Sequence, residues 1–181
     1  MGFYSQPWCE AVCVFSETAE DATGGTVSFG TKTDGTIGPY AWNKRLLTHT
    51  RGDVYDCGAK LDPARHQGTL QPGLYLVEVV TPGRYANSFS SRVARVDNTN
   101  FAHEVLETVA ASTAGYSHIT DGDSNMFVYV PFTELVVDEV TAIRLEQWNR
   151  VANAGGFGVI NAMDVDVESV VGAQLRVEKV G

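Results

Sequence analysis

Residues 143–181, IRLEQWNRVANAGGFGVINAMDVDVESVVGAQLRVEKVG, decide the fold. Ile143 to Gln147 alternates apolar and polar side chains, the period of a strand with one buried face. A polar turn and the glycines Gly155, Gly156 and Gly158 follow, and Gly172 to Val180 then alternates again. So regular a terminal segment is expected to pair in the middle of a sheet, because an edge position would let it fray.

The same period runs back through the chain. Ala11–Glu17, Thr26–Phe29, Asn43–Thr48 and Asp53–Lys60 read as short strands, with a Gly/Thr/Asp-rich loop over Thr23–Gly38 around the second. Leu74–Val80, LYLVEVV, is a strand set between the turns Gln71-Pro72-Gly73 and Thr81-Pro82-Gly83. Phe89–Val96 alternates with its arginines expected toward solvent. Met126–Phe132 and Glu134–Val137 form one long apolar strand bent or bulged at Pro131. Phe101–Ala111 has Phe101, Val105, Leu106 and Val109 at helical spacing and also fits a poorly alternating strand. Its surroundings favour the strand. Short strands at regular spacing define a single all-β domain, a sandwich or barrel.

At 181 residues the chain supports one well-buried core and is short for two domains. The net charge is −9 with no run of lysine or arginine, which argues against nucleic acid as a partner. No apolar run approaches the roughly 18 residues of a bilayer span, so membrane insertion is not expected. The N-terminal MGFYSQPWCEAVCVFSE lacks a basic leader with an apolar core, so no secretory signal is expected. Cys9 and Cys13 would lie roughly 13 Å apart on one strand, too far to bridge. Either can pair with Cys57 across strands, but three reduced, packed thiols are the expected state, pointing to assembly in a reducing cytoplasm.

WNKRLLTHTRGDVYDCGAKLDPARHQGTLQPGLYLVEVV, residues 42–80, resembles a recurring block of tumour necrosis factor-like and complement globular-head jelly rolls. Thr69, Leu70, Gly73 and Tyr75 match the lead into a central strand, and Gly156, Gly158, Leu175, Val177 and Lys179 match the C-terminal closure. The short loops look most like the trimeric spike, fibre-tip and capsid-decoration domains of tailed bacteriophages and related particles. The resemblance spans about residues 10–180 through degenerate motifs that mark turns and packing. It implies a single-domain jelly-roll β-sandwich over 10–181, an N-terminal docking segment over 1–9, and assembly as a homotrimer. Tyr75, Phe127, Tyr129 and Phe157 are then candidates for core or trimer-axis positions.

No residue pattern points to catalysis. His49, His66, His103 and His118 are scattered singly, outside metal or nucleophile spacing. Asp164, Asp166 and Glu168 share a face that could serve glycoside cleavage, but such a row more commonly blunts a solvent-facing strand. Asp121-Gly122-Asp123-Ser124-Asn125 begins like a calcium loop and lacks its later ligands. Arg51-Gly52-Asp53 reads as a tight turn rather than an adhesion tripeptide. No cofactor or metal site is expected. Trp42, Tyr85, Tyr116 and Trp148 are different: aromatic rings beside turn-forming and amide or hydroxyl residues suit carbohydrate, whose C–H faces stack on rings, and the alternative is that they cap the ends of the sandwich core. Met1–Pro7, with Phe3 and Tyr4 and followed by Trp8, suits docking on a larger partner by strand addition and equally a flap packed on its own domain.

The expectation is a non-enzymatic virion structural protein, a trimeric spike, fibre tip or decoration on the virion surface after assembly in a host cytoplasm. Its expected partners are itself, other virion proteins through the N-terminal segment, and a host surface polysaccharide. A small glycan-processing enzyme on the same scaffold, and a capsid-stabilising decoration without receptor binding, are the alternatives.

Overall fold

The computed structural model describes residues 11–18, 21–23, 26–29, 42–51, 57–83, 87–97, 104–112, 115–117, 126–150, 158–161 and 171–180. Along them run β1 (Ala11–Thr18), β2 (Asp21–Thr23), β3 (Thr26–Phe29), β4 (Trp42–Lys44), β5 (His49–Arg51), β6 (Ala59–Asp62), β7 (Gln67–Leu70) and β8 (Gly73–Gly83). There follow β9 (Asn87–Val96), β10 (Val105–Ala111), β11 (Gly115–Ser117), β12 (Met126–Val137), β13 (Thr141–Asn149), β14 (Gly158–Asn161) and β15 (Val171–Lys179). One sheet has the order β12-β8-β15-β1-β5. A second runs β10-β9-β13-β7-β6, with β11 added beside β9 and β4 beside β13, and β14-β3-β2 form a small third sheet.

The C-terminal strand lies inside a sheet, as its pattern required. β15 sits between β8 and β1, with Arg176 opposite Glu78 on one side and Val14 on the other. The segment over 101–111 is also strand where it is described, as β10. Pro131 lies where β12 slips against β8: Val130 faces Val79 and Thr133 faces Val77, so β12 carries one extra residue. That extra residue moves the buried set from Val128 and Val130 to Leu135 and Val137.

The core fills the space between the two large sheets. Phe15, Tyr75, Val79 and Leu175 come from one, and Leu70, Val93, Ile143 and Leu145 from the other. Each such side chain removed from water contributes about 1.5–3 kcal/mol. Gly68 on β7 makes room for Phe15: a Cβ there would stand 2.6 Å from Phe15 Cε2, and that ring is fully buried. Gly68→Ala is therefore expected to cost about 1–3 kcal/mol, read as a lower midpoint of denaturant unfolding. An unchanged midpoint would mean that the Phe15 ring can yield.

Three expectations are corrected. Asn43–Thr48 is not one strand. β4 pairs with β13 in the second sheet and β5 pairs with β1 in the first, and the chain crosses between them at 45–48. There Arg45 N donates to Leu145 O at 2.9 Å and Thr48 N to Ser16 O at 3.0 Å. The buried Arg45 also donates from Nη1 to Gln147 Oε1 at 2.9 Å. Secondly, the arginines of β9 do not both stand free in solvent. Arg92 is on the outward face with 17 % of its side chain exposed, whereas Arg95 stands opposite the core residue Ile143 and donates from Nη2 to Val136 O of the other sheet at 3.1 Å. Thirdly, the cysteines are not all reduced: Cys13 and Cys57 form a disulfide with a Cα–Cα distance of 6.4 Å. Cys13 points inward from β1 and Cys57 lies just before β6, so the bond joins the two sheets within the core. Cys9, the docking segment 1–9 and the 53–56 part of the expected strand Asp53–Lys60 lie outside the described residues; of the rest of that strand, Cys57 and Gly58 are not strand and Ala59–Lys60 open β6.

Tyr75 anchors the chain beside that bond. Its hydroxyl donates to Gln71 O at 2.8 Å and lies 3.4 Å from Gly58 O, while Gln71 N donates to Gly58 O at 2.7 Å. Burial pushes its phenol above the ordinary value. Gly58 holds φ at 63°, and a Cβ there would meet the Tyr75 hydroxyl at 2.7 Å, so a glycine is required on both grounds.

Candidate functional site

Two outward faces of the sandwich carry features that packing alone does not require. The first is the outer face of the five-stranded sheet. Alternation points Leu74, Leu76, Glu78 and Val80 of β8 outward, beside Val12 and Val14 of β1, none of them fully buried. On β12, Tyr129 is 50 % exposed, Phe132 44 % and Val136 60 %. A group of exposed aliphatic and aromatic residues on one flat sheet marks an interaction surface more strongly than the same residues scattered. Charges are built into it. Arg176 lies 5.1 Å from the Phe132 ring centroid, 3.7 Å from Glu78 Oε2 and 3.2 Å from Glu178 Oε2. The Tyr129 hydroxyl donates to Glu78 Oε1. That hydrogen bond, with smaller parts from lost hydration and the carboxylate charge, raises the phenol above its ordinary value against the opposing pull of Arg176.

The second face is the outside of the other large sheet. Trp42 of β4 stands directly opposite Trp148 of β13, which in turn stands opposite Ser90 of β9. One step along, Lys44 faces Glu146 and Glu146 faces Arg92. Residues opposite or two apart in register share a sheet face, so these rows form one patch. The Arg92 guanidinium lies 4.3 Å from the Trp42 ring centroid. Arg92 donates from Nε to Glu146 Oε2 at 2.7 Å, and Arg144 donates from Nε to Glu146 Oε1 at 2.9 Å. Glu146 is only 3 % exposed, with each oxygen held by a different arginine, while Trp42 keeps 37 % of its surface in solvent.

Of the sequence candidates, the structure brings Trp42 and Trp148 together. Tyr116 occupies a register position opposite Ser88 on the far side of β9, and Tyr85 lies outside the described residues. Lys44, Arg92, Arg144 and Glu146 carried no signal in the sequence, because their proximity arises from pairing across three strands. Tyr75 is core, and Tyr129 lies on the outer face of the first sheet. The Phe127 side chain and Phe157 lie outside what is described, as do His103, His118, 121–125, Gly52-Asp53 and Asp164–Glu168. His49 is exposed beside the Thr48 hydroxyl at 2.8 Å, and His66 Nδ1 lies 3.0 Å from Leu47 O, at a φ of 57°. Among the described residues no group of three His, Cys, Asp or Glu side chains could hold a metal, and no helix is long and apolar enough to cross a membrane.

No family model matches the chain, and no curated protein matches it in sequence. Among solved structures it is similar to murine APRIL at pH 5.0, with a TM-score of 0.50 and 12 % identity over 93 % of this chain and 99 % of that one. Eiger TNF from S. frugiperda superposes with a TM-score of 0.47 and 13 % identity, over 92 % and 94 % of the two chains. The domain is thus an all-β sandwich of the tumour necrosis factor-like jelly-roll type. At such identities the likeness is one of fold.

Proposed function

We propose that this chain is a non-enzymatic structural protein that assembles with copies of itself, as a homotrimer, through the outer face of the five-stranded sheet. The observation that carries the reading is the group Tyr129, Phe132 and Val136, exposed beside the outward-facing Leu74 and Leu76. Three sandwiches packed about an axis would cover this face, and a heterologous contact that closes on itself gives a ring. The Glu78–Arg176–Glu178 cluster would fix the register of the copies, since charges at an interface set specificity more than affinity.

The assembled protein serves as a spike, fibre tip or decoration on the surface of a phage-like particle and attaches it to host surface glycans. Residues 1–9 dock it on other virion proteins. The particle setting rests on the sequence resemblance over about residues 10–180, and the glycan role on the paired Trp42 and Trp148. The buried disulfide agrees with a protein that ends its life outside a reducing cytoplasm. Weak single sites would gain strongly when several copies engage one surface.

Light scattering tests the assembly directly. The purified protein is expected at three times the chain mass, and Val136→Glu, which would place an unpaired charge in the contact, is expected to weaken association by about 30-fold or more. A monomer at every concentration would overturn the assembly reading.

A further inference from the structure

We propose that the Trp42 patch takes an acidic saccharide, a sugar bearing a carboxylate or sulfate, rather than a neutral one. The inference rests on the glycan-attachment reading and adds the charge of the ligand. The chain as a whole has a net charge of −9, yet this patch has the opposite sign. Among the described residues, Lys44, Arg92 and Arg144 share one sheet face with one carboxylate, Glu146. That carboxylate projects little negative charge, since it is 3 % exposed and both oxygens are engaged by arginine. The Arg92–Glu146–Arg144 trio keeps an excess of positive charge and Lys44 adds to it, so the described patch is cationic and aromatic. Two of the cations are held in place by Glu146, so little side-chain entropy remains to be lost on binding.

The patch also has the dimensions and chemistry of a sugar site. Adjacent strands lie about 4.8 Å apart and alternate residues about 7 Å, so the rows across β4, β13 and β9 cover an area comparable to a disaccharide. Trp42 supplies an exposed ring surface for C–H stacking, and Ser90 and Thr108 supply hydroxyls. Thr108 Oγ1 already accepts from Arg92 Nη1 at 3.3 Å. An anionic ligand finds no such setting at the groove between Leu106 and Val140, where Asp97, Asp138 and Glu139 gather. At long range an acidic protein repels an acidic glycan, so the local patch must supply the attraction.

The test uses the intact protein and matched pairs of immobilised glycans: trigalacturonate against its methyl ester, and 3′-sialyllactose against lactose. Retention of the acidic member of a pair is expected, with the neutral member held at least about tenfold more weakly and the difference shrinking as salt is raised. Lys44→Glu and Trp42→Ala should each lower acidic retention about tenfold while the far-ultraviolet spectrum and trimer mass stay unchanged. Acidic retention that both variants leave intact overturns the site. Equal retention of acidic and neutral members overturns the charge inference and leaves glycan attachment standing. Retention of none overturns both, while the light-scattering mass continues to judge assembly separately.

Discussion

Reducing the Cys13–Cys57 disulfide is expected to lower the stability of the domain by about 4 kcal/mol, the loop-closure entropy for a sequence separation of 44. The bond joins β1 of one sheet to the approach to β6 of the other, so an unfolded chain that keeps it cannot separate the two halves of the core. Both cysteines are fully buried, and two reduced thiols would pack there as small apolar groups. Reduction should thus act mainly through the unfolded state, leaving the native circular dichroism spectrum unchanged. A thermal midpoint lower by about 8–16 °C in reductant is expected for a chain of this size. Equal midpoints with and without reductant, or free thiols at Cys13 and Cys57 by mass spectrometry, would contradict the bond.

The second large effect concerns Glu146. Glu146→Gln keeps the volume but turns an NH2 donor toward guanidinium groups that need acceptors, leaving Arg92 and Arg144 uncompensated. Breaking one member of a buried ionic network costs about 3–5 kcal/mol. Here the arginine side chains keep 17 % and 15 % exposure, and partial hydration brings the expected loss to about 2–3 kcal/mol. Replacing all three residues with apolar side chains of similar volume should come close to neutral, since the desolvation of the network is then also removed. If Glu146→Gln proved as stable as the wild type in urea, the network would be contributing nothing to the fold. The substitution should also free Arg92 from its position over Trp42.

Much of the fold was legible in the chain because strands announce themselves locally. The alternation of Gly172–Val180 put its buried residues, Ala173, Leu175 and Val177, on one side, and that pattern is strong enough to require a paired neighbour on each edge. The break at Pro131 was visible for a similar reason: a proline lacks the donor that a ladder needs. The segment 43–48 misled because most of it is the crossing between β4 and β5, strands that belong to different sheets. The turn between them is made by backbone bonds to Leu145 and Ser16, residues distant in sequence. Trp42 and Trp148 were recognisable as rings of the right kind, though nothing in their surroundings told that they face each other.

That this is one all-β domain with a central C-terminal strand could be read from the chain alone, because a two-residue period and turn chemistry are properties of short segments. That Cys13 finds Cys57, that Tyr129, Phe132 and Val136 remain exposed together, and that Lys44, Arg92 and Arg144 gather around Glu146 beside Trp42 emerges from the folded chain. Each of these depends on which strands become neighbours. Strand pairing at long range is fixed by the burial of the whole core, a sum over many residues that no single segment carries.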